Sequence, residues 1–598
     1  MSRFTPDQST FIREPGHCIA VAGPGSGKTT SLVEKIRLLA ASPGNKIVAA
    51  TFTSDAADEM TQRLARAAPL RAGAIVVIGT WHSLALQHRK KHGLSERTLG
   101  PGHQARLLRR IVAARVPAAE VATQCVEFER LKCSLEDHAP GELPEWFDAY
   151  QAELETLGVI DLFDAMRDTV RRMASGAFPL FDATHLLVDE VQDNDEIQYA
   201  IADLHASAGI VTTMVGDDDQ AVYEWRRAKG FAGMEAFSRK HHAKVVTMGD
   251  NFRSLRGIVE AADTLISHNT GFRLAKTFIA RRGAGGSVSV VSCSSIASGS
   301  SSVVAGLEPL LSHVADTGLV RSQVPTGSVA ILARNNYMLD EAESALVEAG
   351  VKYIRSSGSI WNSEPAELLM TILATMITDD PRGLDVALQL GGLPENVISK
   401  VNTAFRGRVG DLIERPEDLA RFVPYEQPLQ EISTRLLALR DKLQARQFGA
   451  AIGSAAAFVR KAYAENTLFN ARMAGILRAV ASGLIAMRGP LVARLKEARS
   501  SGEQQSADHA VVLSTYHSSK GQEYRNVFLL GVDEDIIPGR SEIRAERRLL
   551  YVAMTRAQDR LVLLHTSGKG SSFLRELGDV THGSGAGVPA SRSRSVPA

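Results

Sequence analysis

Short apolar runs alternate with amphipathic stretches of helical periodicity along two parts of this chain. An apolar run bounded by turn residues is typical of a buried parallel strand, and the amphipathic stretch after it is typical of a covering helix. In the first part, the predicted strands are residues 19–22, 46–52, 74–79, 185–189, 209–216 and 244–248. This alternation predicts a doubly wound parallel sheet.

The same alternation returns in the second part of the chain. Its predicted strands are residues 288–291, 328–333, 351–354, 510–515, 527–532 and 561–565. Charge-rich sequence with helical periodicity and without strand patterns interrupts the first part over residues 84–182 and the second over residues 379–508. The fold class is therefore α/β, with two parallel-sheet cores that each carry a mostly helical insertion.

The domain limits follow from these patterns, since a chain of 598 residues is too long for a single core. The last stretch is rich in Gly, Ser, Pro and Arg, which predicts a disordered tail. The predicted domains are a first core of residues 1–83 and 183–278 with insertion 84–182, a second core of residues 279–378 and 509–577 with insertion 379–508, and a tail of residues 578–598.

Composition and charge narrow the classes of function. Lys and Arg (68) nearly balance Asp and Glu (67), so any contact with a nucleic acid must be a local groove rather than a basic body. The four cysteines show no CxxC spacing, which fits a reducing compartment. No signal-like segment and no run of about 18 apolar residues occurs. We therefore expect a cytoplasmic protein with no membrane partner.

The segment CIAVAGPGSGKTT, residues 18–30, places a glycine-rich turn between a predicted strand and a predicted helix. Such a turn lets backbone N–H groups curl around an anion, and the helix directs its positive dipole end to the same place. Lys28 can reach the β- and γ-phosphates of a nucleotide, and the Thr29 hydroxyl suits Mg²⁺. The residues predicted to bind the nucleoside triphosphate are Ala22, Gly23, Pro24, Gly25, Ser26, Gly27, Lys28, Thr29 and Thr30. The strict P-loop pattern has Gly where this chain has Ala22.

Two adjacent carboxylates, Asp189 and Glu190, end the predicted strand 185–189. At the carboxyl edge of a parallel sheet, Asp189 can hold Mg²⁺ while Glu190 polarises the attacking water. An Asp-Glu pair at a strand end is by itself often only a solvated turn. Behind a P-loop, the pair favours phosphoryl transfer instead.

Ordered motifs across nearly the whole chain resemble the superfamily 1 helicases of the UvrD/Rep/PcrA type. The first core contributes FTPDQSTFI, TFTSDAADEM, GTWHS, LLVDEVQD, VGDDDQAVYEWRRA and NFRS, in which Phe252 replaces a more usual Tyr. The second core contributes STYHSSKGQEYRNVFLLGVDEDIIP and ERRLLYVAMTRAQDRL. The resemblance implies two RecA-like cores, and the insertion 379–508 looks reduced beside longer members of the family.

The resemblance also implies that ATP lies in a cleft between the two cores. Gln8 matches the glutamine that reads adenine, and Glu523 matches a residue near the ribose. Gln192 and Gln220 match residues that sense the γ-phosphate.

Two arginines that lie far apart in the sequence match residues that touch the γ-phosphate. They are Arg253 and Arg556. Planar guanidinium groups suit this position because they neutralise the charge that develops on the transferred phosphoryl group. The resemblance therefore assigns both arginines to catalysis, with Lys28, Glu190 and the two sensor glutamines.

DNA contacts are a further implication of the resemblance, because aromatic side chains hold single strands by stacking on bases. Tyr223 and Trp225 match aromatic residues that stack on bases. The acidic run 217–219 and the arginines beside them predict that this segment is not deeply buried. The residues assigned to DNA are Phe52, Thr53, His82, Tyr223, Trp225, Arg226 and His517. The two histidines equally fit structural positions that do not touch DNA.

The function implied is an ATP-dependent DNA helicase that uses Mg²⁺ and moves 3′ to 5′ on single-stranded DNA, in repair, replication or recombination. Its substrates would be single-stranded and tailed duplex DNA, and it would be a monomer or self-associate weakly. An alternative is a translocase stimulated by single-stranded DNA, with little unwinding, that strips proteins or serves a nuclease partner in a plasmid, phage or defence system. The partner protein expected is a nuclease or a repair protein. A nucleotide-switched DNA-binding module is a third, but such a module would not need Glu190.

Overall fold

The computed structural model describes residues 4–66, 74–117, 120–136, 141–307, 328–355, 358–378, 382–464, 471–501, 510–578 and 581–584. The chain divides into two compact units. The first unit comprises Met1–Gly285 and Ser541–Tyr551, and the second comprises Gly286–Arg540 and Val552–Ala598.

The first unit is built around a six-stranded parallel sheet in the order β3-β2-β6-β7-β1-β8. The strands of this unit are β1 Cys18–Ala22, β2 Lys46–Thr51, β3 Ile75–Thr80, β4 Arg97–Thr98, β5 Val159–Ile160, β6 His185–Val188, β7 Val211–Gly216, β8 Lys244–Met248, β9 Asp250–Asn251 and β10 Ile279–Ala280. Strand β7 pairs with both β1 and β6. The carboxyl ends of these three neighbours therefore meet at one edge, where ligands bind in open α/β sheets.

Helices cover both faces of this sheet. The helices of the first unit are Pro6–Arg13, Lys28–Ala40, Ser54–Arg66, Trp81–Lys91, Pro101–Ala113, Val121–Lys132, Glu145–Leu157, Leu162–Ala174, Glu196–Ser207, Gly230–His241 and Arg256–Ser267, with short 3₁₀ turns at Val191–Asp193, Asp218–Gln220 and Glu224–Arg226. Successive residues of β1 point to opposite faces of the sheet: Ile19 packs in a cluster with Trp81, whereas Ala20 packs with Phe11 and Leu32. Burial on both faces explains why the strands are continuously apolar.

The described part of residues 84–182, the region predicted as a helical insertion, is mainly helical. Its apolar core includes Phe128, Trp146, Phe147 and Tyr150, which lie on two facing helices. One correction is needed, because β4 and β5 form a small parallel ribbon within this region. Two-residue strands are too short to produce a periodic pattern in the sequence, so no sequence pattern predicts them.

A buried histidine lies where this region joins the sheet. The Nε2 atom of His88 lies 2.9 Å from the carbonyl oxygen of Pro179. Burial, followed by the neighbouring His92, lowers the pKa of His88 to about 4. In the unfolded chain a histidine has a pKa of about 6.5, so between these values the unfolded state binds more protons than the folded state.

We expect the free energy of unfolding to fall as the pH is lowered from about 6.5 toward 4, because protons then favour the unfolded chain. Thermal unfolding measured at several pH values between 7.5 and 4.5 tests this. His88→Gln keeps a donor for the Pro179 carbonyl and cannot titrate, so it should flatten the decline. A variant with the wild-type slope would show that His88 does not contribute.

The second unit contains a seven-stranded parallel sheet in the order β13-β14-β12-β15-β16-β11-β17. Its strands are β11 Ser287–Cys293, β12 Val329–Ala333, β13 Tyr353–Arg355, β14 Val511–Thr515, β15 Tyr524–Leu530, β16 Ala557–Thr566 and β17 Thr581–Ser584. Its helices are Ile296–Gly306, Asn336–Glu348, Glu364–Thr378, Arg382–Leu390, Glu395–Ala404, Val409–Glu414, Glu426–Gln444, Phe448–Ala464, Ala471–Ala486 and Leu491–Ser501, with 3₁₀ turns at Ile360–Asn362, Pro416–Arg421 and Ser572–Glu576. Helix Ile543–Met554 begins in the first unit and ends in the second.

The helical part of the second unit has its own large apolar core and is also joined to the sheet by buried charges. The Arg355 guanidinium, at the end of β13, forms ion pairs with Asp340 and Glu343. Arg472, in the helical part, donates from Nε to Asp340 at 2.8 Å. Asp340 therefore holds one arginine from the sheet and one from the helical part.

All the predicted strands are present, although several begin or end a few residues away, and the predicted α/β class with two parallel sheets is confirmed. The division between units differs from the predicted one: it falls after Gly285, and residues 541–551 belong to the first unit. Residues 541–551 belong to the first unit because of side-chain contacts that the hydrophobic pattern does not reveal. Arg547 Nη1 donates to Asn269 Oδ1 at 2.5 Å, and Arg548 Nη1 donates to Glu224 Oε1 at 2.5 Å.

The predicted disordered tail also needs a correction. Thr581–Ser584 form β17, which pairs in parallel with β11. An edge strand is held by backbone hydrogen bonds, which residue composition does not reveal. The rest of the predicted tail, apart from Gly578, lies outside the described residues. Among the described helices, none combines the length and apolarity needed to cross a membrane.

Candidate active site

The P-loop connects β1 to helix Lys28–Ala40, and neighbouring side chains fix its carbonyl groups. Gln8 Nε2 donates to the carbonyl oxygen of Ser26 at 2.9 Å, and Asn251 Nδ2 donates to that of Pro24 at 2.8 Å. The buried Ser26 Oγ has no hydrogen-bond partner among the described residues. The loop is thus held in shape and keeps a polar atom that a ligand can satisfy.

The segment NFRS packs directly against the P-loop. The backbone N–H of Phe252 donates to the carbonyl oxygen of Gly25 at 2.9 Å. Gly25 has φ of +68°, and a Cβ there would lie 2.5 Å from the Cβ of Arg253. Only glycine fits this position. Asn251 Oδ1 accepts from the Arg253 backbone N–H at 2.9 Å, which fixes the backbone from which the Arg253 side chain extends.

The predicted catalytic side chains Lys28 and Glu190 meet at the carboxyl edge of the sheet. Lys28 Nζ lies 3.0 Å from Glu190 Oε1, and Gln192 Nε2 donates to Glu190 Oε2 at 2.5 Å. Glu190 has a left-handed backbone with φ of 48°, which is unusual outside glycine and typical of functional sites. Its backbone N–H donates to Asp189 Oδ1 at 2.9 Å. The two carboxylates therefore hold a fixed relative orientation.

Electrostatics at this edge favour a cation. Burial lowers the pKa of Lys28, but the carboxylates of Glu190, Asp189 and Asp217 outweigh it, so the pKa lies above its ordinary value. Burial and the adjacent Glu190 carboxylate raise the pKa of Asp189 above its ordinary value. A divalent cation would relieve this repulsion, and carboxylate and hydroxyl oxygens are the ligands that Mg²⁺ prefers. Thr29 supplies such a hydroxyl from the first turn of its helix.

The two predicted sensor glutamines are joined through one aspartate. Gln220 Nε2 donates to Asp217 Oδ2 at 2.7 Å. Gln192 Oε1 accepts from the backbone N–H of Asp217 at 3.0 Å. Both glutamines are buried. The structure therefore brings Lys28, Glu190 and both glutamines into one continuous hydrogen-bonded chain.

The burial of the acidic run beside Gln220 differs from what its sequence predicted. Asp217, Asp218 and Asp219 are fully buried, although their charges predicted an accessible segment. Lys276 Nζ lies 2.6, 2.6 and 2.9 Å from their respective carboxylates, and Arg273 Nη2 lies 2.8 Å from Asp219. Buried charges are tolerated when they are paired in this way. The cations that pair them lie more than fifty residues later in the sequence.

Aromatic residues predicted to contact DNA lie together beyond this acidic run. The rings of Phe52 and Tyr223 are stacked, with centroids 5.3 Å apart and planes 25° apart. Trp225 lies edge-on to Tyr223 at 6.5 Å, and its side chain is 40% exposed. Thr53 is exposed, and its hydroxyl oxygen accepts from the backbone N–H of Ala56 at 3.2 Å, at the start of a helix. Among these three aromatic residues, Trp225 is therefore the exposed one, and Phe52 and Tyr223 are partly buried.

Arg226 is held by residues of the helical region. Its Nε lies 2.9 Å from Glu129 Oε2, and its guanidinium lies over the rings of Trp225 and Phe163. His82 contacts the same Phe163 ring edge-on at 6.2 Å. Burial, followed by the charge of Arg226, lowers the pKa of His82 to about 4. His82 is therefore neutral at physiological pH, and its role in DNA contact stays a prediction.

The remaining predicted residues lie in the second unit. Arg556 is buried and donates from Nε to the carbonyl oxygen of Val552 at 2.8 Å. Glu523 is exposed and accepts from Gln558 Nε2 at 3.1 Å. Burial, followed by nearby positive charges, lowers the pKa of His517 to about 4. Their roles at ATP and DNA stay predictions.

Comparison with known proteins supplies the family. The family described as an AAA domain matches residues 10–226, and the UvrD-like helicase C-terminal domain matches residues 456–568. The chain is 26% identical to the ATP-dependent DNA helicase Rep of Escherichia coli, over 94% of this chain and 90% of that protein. The chain belongs to the UvrD/Rep/PcrA-like family of superfamily 1A helicases. DNA helicase II of Haemophilus influenzae is 26% identical over 93% of this chain and 82% of its own length, and PcrA of Leuconostoc citreum is 24% identical over 92% and 80%.

Several residues at the site of this UvrD-like helicase escaped the sequence analysis. Asn251 bonds both the P-loop and the start of Arg253, yet in the sequence it was only the first letter of NFRS. Phe278 lies against Gly23, where a Cβ would come within 2.2 Å of its ring. No sequence motif includes Phe278. It lies against Gly23 because the chain turns back toward the P-loop after helix Arg256–Ser267. Lys276 was missed for the same reason.

Proposed function

We propose that this chain is an ATP-dependent DNA helicase that moves 3′ to 5′ along single-stranded DNA and unwinds duplexes in DNA repair, replication or recombination. The observation that carries the proposal is one connected network in the first unit. It runs from Lys28 through Glu190 and Gln192 to Asp217 and Gln220, three residues before the aromatic Tyr223. Relatives whose names state ATP-dependent DNA helicase activity support it, and the direction of movement is taken from the family.

The proposed chemistry assigns a role to each residue around the phosphates. Lys28 neutralises the β- and γ-phosphates, and Glu190 orients and polarises the attacking water. Mg²⁺, held by Thr29 and Asp189, would neutralise phosphate charge. In the structure Glu190 is paired with Lys28, so nucleotide binding would draw the ammonium toward the phosphates and release the carboxylate.

The proposed DNA contacts use stacking rather than a broad basic surface. Trp225 presents accessible aromatic surface, and the stacked pair Phe52 and Tyr223 lies beside it. Stacking on an aromatic side chain contributes about 1–3 kcal/mol per base and tolerates any sequence. Arg226 would orient Trp225, over whose ring it lies. This suits a protein that moves along DNA irrespective of sequence.

The remaining assignments are also proposals. Arg253, from the first unit, and Arg556, from the second, would both contact the γ-phosphate when ATP is bound, and Gln8 and Glu523 would contact the base and ribose. Residues 84–182 and 379–508 would act as the helical insertions of the two cores. Single-stranded and tailed duplex DNA would be the substrates.

ATP hydrolysis measured with and without single-stranded DNA, on 3′-tailed and 5′-tailed duplexes while strand separation is followed, tests the proposal. We expect strong stimulation by single-stranded DNA and opening of the 3′-tailed duplex alone. Stimulation without opening would replace the helicase with a translocase that serves a nuclease or repair-protein partner. Absence of stimulation by DNA would contradict the motor function altogether. Glu190→Gln is the matched control for hydrolysis by a contaminating enzyme.

A further inference from the structure

A buried cluster of charges lies directly behind the sensor glutamines. Three consecutive carboxylates, Asp217, Asp218 and Asp219, surround the ammonium of Lys276, whose side chain is 1% exposed. Arg273 also donates to the Asp219 carboxylate, from Nη2 to Oδ2 at 2.8 Å and from Nε to Oδ1 at 3.1 Å. Such a cluster costs desolvation energy to bury, and removal of one of its partners is costly, so it is weak evidence for stability but a strong constraint on the positions of its members.

Within this cluster, Asp217 alone reaches the phosphate side of the site. Its Oδ1 receives Lys276 Nζ at 2.6 Å, and its Oδ2 receives Gln220 Nε2 at 2.7 Å. Its backbone N–H donates to Gln192 Oε1 at 3.0 Å. The Asp217 carboxylate thus links Lys276 to Gln220, and the Asp217 backbone N–H is bonded to Gln192.

The segment that carries Lys276 also contacts the P-loop. Two residues after Lys276, the ring of Phe278 lies against Gly23. Two residues before it, the backbone N–H of Leu274 donates to Asp218 Oδ2 at 2.7 Å. Strand β10 then pairs with β9, which contains Asn251. Lys276 therefore lies on a segment fixed at both ends to elements of the nucleotide site.

We propose that Lys276 is a positioning residue for ATP hydrolysis, holding Asp217 so that the amide of Gln220 stays aimed at the γ-phosphate. Gln220 begins the short segment that leads to Tyr223 and Trp225, so the same anchor couples nucleotide state to the aromatic DNA contacts. Neither the sequence motifs nor the comparisons assign a role to Lys276. The proposal rests on the proposed function, because it presupposes hydrolysis stimulated by DNA.

Two isosteric substitutions in the cluster form a matched pair. Asp217→Asn and Asp218→Asn each remove one of two carboxylates that lie 2.6 Å from Lys276 Nζ. The cluster holds more carboxylates than cations, so neither substitution leaves a buried cation unpaired. Lys276 and Gln220 donate to different oxygens of Asp217, and an asparagine there replaces one of these oxygens with an NH₂ group, so one of the two donors loses its acceptor. At position 218 it leaves the bond from Asp217 to Gln220 in place.

We expect Asp217→Asn and Lys276→Met to lower the kcat of DNA-stimulated ATP hydrolysis by about 10- to 100-fold, as misplacement of a catalytic group does. The KM for ATP and the Kd for single-stranded DNA without nucleotide should change by less than about threefold. Asp218→Asn should retain nearly the wild-type kcat. Steady-state kinetics, with thermal unfolding to verify the folded state, measure these values.

The matched pair also decides the outcome if Lys276→Met fails to fold. Equal losses of kcat in Asp217→Asn and Asp218→Asn would mean that the cluster is only structural, and would overturn the proposal. Wild-type kcat in Asp217→Asn would overturn it as well. A wild-type protein whose hydrolysis does not respond to single-stranded DNA would instead contradict the proposed function, which is a separate result.

Discussion

ATP hydrolysis is expected to fall by at least about 100-fold when Lys28 is replaced by Ala, with affinity for single-stranded DNA within about threefold of the wild type. Lys28 supplies the positive charge at the P-loop, next to Glu190 at 3.0 Å. Its removal deprives the transferred phosphoryl group of a fixed cation. The stacked rings of Phe52 and Tyr223, and Trp225 edge-on to Tyr223, are held by contacts with one another, so DNA binding should persist.

Glu190→Gln separates the two functions of this site more cleanly. Glutamine has the same shape, but it lacks the negative charge that polarises water, so hydrolysis should be lost while single-stranded DNA still binds. Radiolabelled phosphate release and fluorescence anisotropy of a labelled oligonucleotide measure the two activities. Lys46→Ala is a matched control, because within the described ranges the Lys46 ammonium pairs only with Asp182, in an exposed ion pair. Substantial hydrolysis by Lys28→Ala would show that the P-loop assignment is wrong.

Trp225→Ala should weaken binding of single-stranded DNA by about 5- to 150-fold, because a stacked base contributes about 1–3 kcal/mol. Stimulation of hydrolysis by DNA should fall with it, whereas basal hydrolysis should change little. Trp225 suits this test better than Tyr223, because its ring is 40% exposed whereas Tyr223 is stacked against Phe52. Removal of Tyr223 would disturb its neighbour as well.

Trp225→Phe supplies the control, since phenylalanine keeps a flat aromatic face and should retain most of the affinity. Titration of a labelled oligonucleotide gives the affinity, and hydrolysis at saturating ATP gives the stimulation. Unchanged affinity and stimulation in Trp225→Ala would refute the stacking role. Equal loss in the Ala and Phe variants would point instead to the indole N–H as the important group.

The strands and the phosphate-binding residues could be predicted from the sequence because their signals are local. An apolar run followed by a glycine turn and Lys28 needs no knowledge of the rest of the chain. The same holds for Asp189 and Glu190, since a strand end fixes where adjacent carboxylates lie. The hydrophobic pattern was equally sufficient for the parallel sheets, whose strands are buried on both faces.

The remaining features depend on contacts between distant residues. The acidic run 217–219 was predicted to be accessible because three consecutive charges rarely lie inside a protein. Pairing with Lys276 and Arg273, which are distant in the sequence, allows the three carboxylates to be buried. Gln8 illustrates a second limit: its amide bonds the carbonyl of Ser26, so it also shapes the P-loop, which a motif match does not reveal. Residues 541–551 joined the first unit through side-chain pairing with Asn269 and Glu224.

The internal pairing of the arginines beside Trp225 has a consequence for the behaviour of the protein in salt. Arg226 is bound to Glu129, and Arg227 to Glu196 at 3.1 Å. Each phosphate neutralised on a single strand contributes about −0.7 to the slope of log affinity against log salt concentration, through release of counterions. Two arginines that contacted phosphates would add about −1.4, but arginines already balanced by carboxylates release few counterions. The affinity of this segment for single-stranded DNA should therefore change little as ionic strength rises.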